Sequence, residues 1–168
     1  VKIRKATPAD AEILRRLYHE HLTAYPPKNP ADIALWREKI ARFESDAEYH
    51  LLVGEVEGRV VSTVTLVVIE NLTRNLRPYA VIENVVTHAD FRGKGCAAAL
   101  MQHAGEIAQS LGCYKIMLST GSKTEGTLQF YEKCGFNCRD KTGFVKWLEK
   151  PAEYPAQFSR RYGKFAVR

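Results

Sequence analysis

The sequence predicts a single α/β domain, and three observations point to it. Runs rich in β-branched and aromatic residues alternate with helix-periodic segments instead of segregating from them. One segment carries Ala97, Leu100, Met101, Ala104, Ile107, Ala108 and Leu111 at the i, i+3, i+4, i+7 spacing of a helix with one buried face. A length of 168 residues suits one core and is short for two ordinary domains. With 45% hydrophobic and 26% charged residues, the composition excludes a collagen-like, coiled-coil or wholly disordered chain. No apolar run approaches the roughly 18 residues of a membrane span. Val1-Lys2-Ile3-Arg4-Lys5 alternates, unlike a basic-then-apolar leader, so the cytoplasm is the expected compartment and no membrane partner is expected.

The elements follow in order. Val1 to Lys5 reads as a strand, and Thr7-Pro8-Ala9-Asp10 as a helix start with Thr7 as N-cap, Pro8 in the first turn and Asp10 at the positive dipole end. Ala11, Leu14, Leu17, Tyr18 and Leu22 form the stripe of that first helix, which the Tyr25 to Pro30 segment ends. Ile33, Trp36, Ile40 and Phe43 mark a second helix. His50 to Val56 and Arg59 to Asn71 are strand runs joined by a Glu57-Gly58 hairpin turn. A basic loop from Leu72 to Pro78 leads into a strand from Tyr79 to Thr87, and the amphipathic helix ends at Gly112. Tyr114 to Leu118 is a short strand and Glu125 to Cys134 a helix stopped by Gly135. Asn137 to Asp140 and Phe144 to Leu148 read as a final hairpin. The order is β-α-α-β-β-β-α-β-α-β-β.

The net charge is +6, and half of it falls in the last 18 residues. A mildly basic body suits an anionic small molecule as well as it suits nucleic acid. Outside the Arg160-Arg161 pair no basic stripe is present, so no nucleic-acid partner is expected. Cys96, Cys113, Cys134 and Cys138 match neither zinc spacing nor a disulfide framework, and the five histidines form no metal motif. Reduced thiols and no metal are expected.

Arg92-Gly93-Lys94-Gly95-Cys96-Ala97 sits between a strong strand and the strongest helix, where unpaired backbone N–H groups and the helix dipole converge. Such a turn can hold a pyrophosphate, with Ala97 keeping the approach open; an ordinary glycine turn is the other reading. It is neither a Walker loop nor a G-x-G-x-x-G fingerprint on the chain's first strand.

Arg92-x-x-Gly95-x-Ala97 after Val85-Val86-Thr87 resembles the R/Q-x-x-G-x-G/A acetyl-CoA signature of the GNAT superfamily of N-acetyltransferases. Phe130-Tyr131-Glu132-Lys133-Cys134-Gly135-Phe136 resembles that family's late helix and following strand. The resemblance covers residues 1–150, taken as the acetyltransferase domain, and leaves 151–168 as an aromatic, basic extension. It implies a mostly antiparallel sheet, splayed between the strands ending at Thr87 and Leu118, with acetyl-CoA in the cleft. Val85, Val86 and Thr87 would pair with pantetheine, and the N–H groups of Arg92, Gly93, Lys94, Gly95, Cys96 and Ala97 would hold the pyrophosphate. A backbone N–H near Val86 would hold the developing oxyanion. Thr127 stands where the family often has an asparagine that contacts CoA.

By the same resemblance Tyr131 protonates the departing thiolate; a packed tyrosine is the alternative. Glu83 is a charge within the apolar run Val81 to Val86 and is the candidate base, or else an edge-exposed or ion-paired glutamate. Asn84 points to the opposite face unless a bulge re-aims it. The expected activity is acetyl transfer to a primary amine by direct attack through a tetrahedral intermediate. A ping-pong route through cysteine is disfavoured because Cys96 lies in the phosphate turn.

Ile82-Glu83-Asn84 and Gly112 to Ile116 resemble glucosamine-phosphate N-acetyltransferases in particular, although Ser119-Thr120 stands where that subfamily has Asp-Cys. Arg74 and Arg77 are candidate donors to a phosphate on such an acceptor. By the same resemblance the acceptor side is built from the first two helices, the basic loop and the C-terminal strands, so specificity is expected in the Tyr25 to Pro30 segment and the tail. A non-catalytic acyl-CoA-binding regulatory module is the rival reading, and a homodimer through the edge of the final strands a further expectation.

Overall fold

The computed structural model describes residues 1–22, 27–146 and 148. The chain divides into two compact units, Val1–Asn137 and Cys138–Arg168. The extension from Pro151 and residues 23–26 lie outside the described residues.

In the first unit, β1 (Lys2–Lys5) leads into a 3-10 turn at Pro8–Asp10 and α1 (Ala11–Leu17), which widens into a π turn at Tyr18–Leu22. The rest of the order is α2 (Ile33–Ser45), β2 (Tyr49–Val56), β3 (Arg59–Ile69), β4 (Tyr79–Thr87), α3 (Cys96–Ser110), β5 (Ile116–Leu118) and α4 (Glu125–Lys133). Thr7 N and Oγ1 both donate to Asp10 Oδ2, at 2.7 and 3.2 Å, so the carboxylate satisfies a free N–H at the helix start. The β2–β3 hairpin turns at Glu57 and Gly58 with φ of 51° and 76°, the left-handed pair that matches strand twist.

The five strands lie in the order β1-β2-β3-β4-β5. All neighbours are antiparallel except β4 and β5, which run parallel. The sheet separates two cores. On one face α1 and α2 bring Leu14, Leu17 and Ile40 against Leu51, Val53 and Val86. On the other, α3 packs Leu100, Met101, Ala104 and Ala108 against Leu52, Val64, Leu66, Ala80 and Ile82. Alternation along β2 explains the division, because Leu51 and Val53 face one core and Leu52 the other. Burying each leucine-sized side chain stabilises by about 1.5–3 kcal/mol.

β4 breaks this alternation. Ala80 and Ile82 face α3, yet Val86, an even step further on, packs under α1 and α2 while Val85 turns to the α3 side. The register against β3 passes from Thr65↔Glu83 to Thr63↔Val86, which adds one residue to β4, and Asn84 carries a φ of 54°. One extra residue exchanges the faces of everything after it.

Among the described residues the expected final hairpin is not formed. Described residues from 137 to 146 contain no strand, and Phe144, Val145 and Leu148 are exposed. The 137–140 run, Asn-Cys-Arg-Asp, lacks the alternation that gives a strand a buried face. The edge expected to carry a dimer contact is therefore absent among the described residues. The strand expected from Tyr114 starts its pairing at Ile116. None of the described helices is long and apolar enough to cross a membrane.

Candidate functional site

β4 and β5 are paired only through Ala80↔Ile116, Val81↔Met117 and Ile82↔Leu118. Beyond Ile82 they part, and the right-handed twist of the sheet widens the gap. The gap is a groove of about 530 Å³, walled by Val85, Val86 and Thr87 on β4, by the turn before α3 and by α4.

That turn is built by two glycines, Gly93 at φ 72° and Gly95 at φ 79°. A Cβ at either position would meet nothing within 4 Å, so backbone conformation, not space, demands glycine. Among the described residues, no acceptor is found for the N–H groups of Gly93 to Ala98. They crown the positive end of a 15-residue helix, a cradle for a phosphate. Arg92 fixes the turn: its Nε donates to Thr87 O at 3.2 Å and its Nη2 to His21 O at 3.3 Å. The π turn thereby comes against the end of β4, where the His21 and His88 rings lie 4.5 Å apart.

The groove collects Val85, Val86, Thr87, Arg92, Gly93, Gly95, Cys96, Ala97, Thr127 and Tyr131 from the sequence-based expectation. Lys94 is not among its walls; its ammonium lies 5.1 Å over the Phe91 ring. Phe91, Ala98, Gly126 and Phe130 line the groove without having been expected there. Phe130 stands within the Phe130 to Phe136 motif without a role of its own, and Phe91, Ala98 and Gly126 carry no signal until two elements face each other. Thr127 Oγ1 is held in a hydroxyl cluster with Ser122 and Thr124, at 3.1 and 2.9 Å.

Tyr131 is half-buried between Phe130 and Phe136. Burial, the neighbouring Cys134 and the negative charge of Glu83 all push its phenol above the ordinary value, so it stays a proton donor at neutral pH. Glu83 is exposed in the middle of β4 and also raises the Tyr49 phenol, next after burial among the causes. Its charge is thus felt in two places, in the groove at Tyr131 and at Tyr49 in a second cavity.

The second cavity, of about 310 Å³, lies between α1, α2 and the sheet and is lined by Asn84 from the bulge as well as Tyr18, Trp36, Phe43, Tyr49 and Thr65. The basic loop is elsewhere. Arg77 donates to the Gly112 and Cys113 carbonyls at 3.1 and 3.4 Å, and the Arg74 guanidinium lies 5.8 Å over the Tyr114 ring. Arg77 thus serves the carbonyls that follow α3 and Arg74 an aromatic face, both at the end of β4 opposite the groove. Among the described residues, no cluster of His, Cys, Asp and Glu converges as metal ligands would.

With this geometry in view, residues 13–136 match the Acetyltransferase (GNAT) family. The chain belongs to the GNAT acetyltransferase family. It is an acetyl-CoA-dependent acetyltransferase. A glucosamine 6-phosphate N-acetyltransferase of Trypanosoma brucei brucei is 32% identical over 121 residues, 72% of this chain and 79% of the relative. One of Arabidopsis thaliana is 28% identical over 100 residues, 60% of this chain and 65% of the relative. A solved structure from Agrobacterium tumefaciens str. C58, assigned as an acetyltransferase, superposes with a TM-score of 0.79 at 37% identity, covering 88% of this GNAT chain and 99% of its own.

Proposed function

We propose that this GNAT acetyltransferase moves an acetyl group from acetyl-CoA to a primary amine by direct attack, with Glu83 as base and Tyr131 as acid. One observation carries the reading. The bulge next to Glu83 turns Asn84 into the second cavity and Val85 into the groove, which supports a meeting of donor and acceptor across β4 beside the exposed Glu83.

Bound acetyl-CoA supplies a reactive thioester and a thiolate leaving group. The N–H groups of Gly93 to Ala97 and the dipole of α3 hold its pyrophosphate, while Val85, Val86 and Thr87 offer strand-like backbone to its pantetheine arm. Glu83 takes the proton that an ammonium must lose before its nitrogen has a lone pair to attack with, directly or through water. A backbone N–H near Val86 donates to the carbonyl oxygen as negative charge builds on it. Tyr131 gives its proton to the departing sulfur, and its raised pKa keeps that proton available at neutral pH.

Thiol release across a panel of primary amines tests the reading, with acetyl-CoA affinity measured by calorimetry alongside. Glu83→Gln and Tyr131→Phe should each lower kcat by about 10²-fold while leaving that affinity within about twofold. Turnover indifferent to both changes would sink the mechanism. Acetyl-CoA binding with no turnover on any amine would favour a non-catalytic regulatory module.

The names of the Trypanosoma and Arabidopsis relatives favour a second reading, in which the acceptor is glucosamine 6-phosphate. Turnover of that sugar above every other amine of the panel would establish it.

A further inference from the structure

We infer that the acceptor is a primary amine on an apolar, aromatic-sized body and not a phosphorylated sugar. The inference rests on the acetyl-transfer reading of the adjoining groove and specifies what the second cavity admits.

The lining of that cavity decides the class. Two aromatic pairs form its walls: Tyr18 and Trp36, with ring centroids 5.8 Å apart, and Phe43 and Tyr49, stacked at 3.8 Å. Leu14, Leu35, Ile40 and Leu51 complete them. Lys39, on the exposed side of α2, is the one cation among the described lining residues. A phosphate dianion needs charged donors to replace its water, and beside Lys39 the described lining offers only the neutral hydroxyl, indole and amide groups of Tyr18, Tyr49, Thr65, Trp36 and Asn84. Arg74 and Arg77, the natural candidates to supply them, are engaged at the far end of β4.

An apolar amine meets the opposite situation. Its body displaces water from aromatic walls, and its ammonium is attracted both by ring faces and by the Glu83 carboxylate, whose charge is felt at Tyr49. The volume, about 310 Å³, lies at the lower edge of small-ligand pockets and suits one ring with a short chain. Asn84, the amide nearest the bulge, is the polar end toward which the amine would point.

The test uses the whole chain with Trp147→Phe, which leaves Trp36 as the sole indole. Phenethylamine should change Trp36 emission saturably, and glucosamine 6-phosphate at the same concentration should not. Phenethylamine should also be acetylated with a kcat/KM at least tenfold above that of the sugar phosphate. Trp36→Ala in the unmodified chain should raise its KM about tenfold with acetyl-CoA affinity retained, which shows the variant folded, and Trp36→Phe should restore most of the loss. An unchanged Trp36 emission with phenethylamine, or a higher kcat/KM for glucosamine 6-phosphate, overturns the inference. The two readings fail separately: a Trp36 response without acetyl transfer overturns the acetyl-transfer reading and leaves the specificity of the cavity standing.

Discussion

Asn84 and Val85 are consecutive in β4, yet Asn84 lines the aromatic cavity beside α1 and α2 while Val85 lines the groove beside α3. A regular strand would also send neighbours to opposite faces, but then Val86 would join Asn84 on the same side as Ile82. Instead the left-handed residue at 84 exchanges the two faces and leaves Glu83 and Asn84 both exposed where the cavities approach each other.

A β-branched residue at 84 should therefore be penalised twice. Left-handed backbone costs an ordinary L-residue about 1–2 kcal/mol. Asn84→Val is expected to lose about that much stability in denaturant unfolding and to lose acetyl transfer with it, whereas Asn84→Gly should keep the fold. Equal unfolding midpoints for wild type and Asn84→Val would show that the bulge does not need this conformation.

The glycine turn makes a prediction about affinity. Gly95 has φ 79° with open space around it, so Gly95→Val strains the backbone without a clash. Calorimetry should show acetyl-CoA binding weakened tenfold or more as the N–H cradle opens, while α3 stays folded by circular dichroism. Undiminished affinity would remove the turn from the binding site.

Tyr131 predicts a pH profile. Burial first, then Cys134 and Glu83, raise its phenol, so the basic limb of kcat should lie above the ordinary tyrosine range near pH ~10. Tyr131→Phe should remove that limb from what activity remains. A limb that persists unchanged in the variant belongs to another group.

Acid stability should depend on Asp10. Arg4 holds it through two bonds, Nη1 to Oδ2 at 2.7 Å and Nη2 to Oδ1 at 2.8 Å, and binds Glu55 through Nε at 2.8 Å. Burial would raise the Asp10 pKa, but the bonds from Arg4 and Thr7 outweigh it and the carboxyl titrates below its ordinary value. A depressed folded pKa contributes stability above the unfolded value near ~3.9 and loses it as pH falls through the folded one. Asp10→Asn should cost about 1–3 kcal/mol at neutral pH. Chemical denaturation at stepped pH should show that difference shrinking below pH ~4; a difference constant with pH would mean the ion pair is not its source.

Most of the elements and most walls of the groove were legible in the residue pattern. Helix periodicity placed α3, and Glu57-Gly58 between two strand runs placed the β2–β3 hairpin. The glycine turn between strand and helix, with the later Tyr131 segment, marked most of the groove walls, because those signals are local in the chain. It misjudged the final hairpin, where Phe144 and Leu148 resemble strand residues in composition but form no strand among the described residues. Only the tertiary structure decided what lies opposite what. Trp36 and Phe43 read as the apolar stripe of a helix until α2 and β2 enclose a cavity with them, and Arg77 reads as a loop cation open to a phosphate until the carbonyls that follow α3 arrive beside it. The faces of β4 turn on one extra residue against β3, and such a register is fixed by the partner strand, which the β4 sequence does not contain.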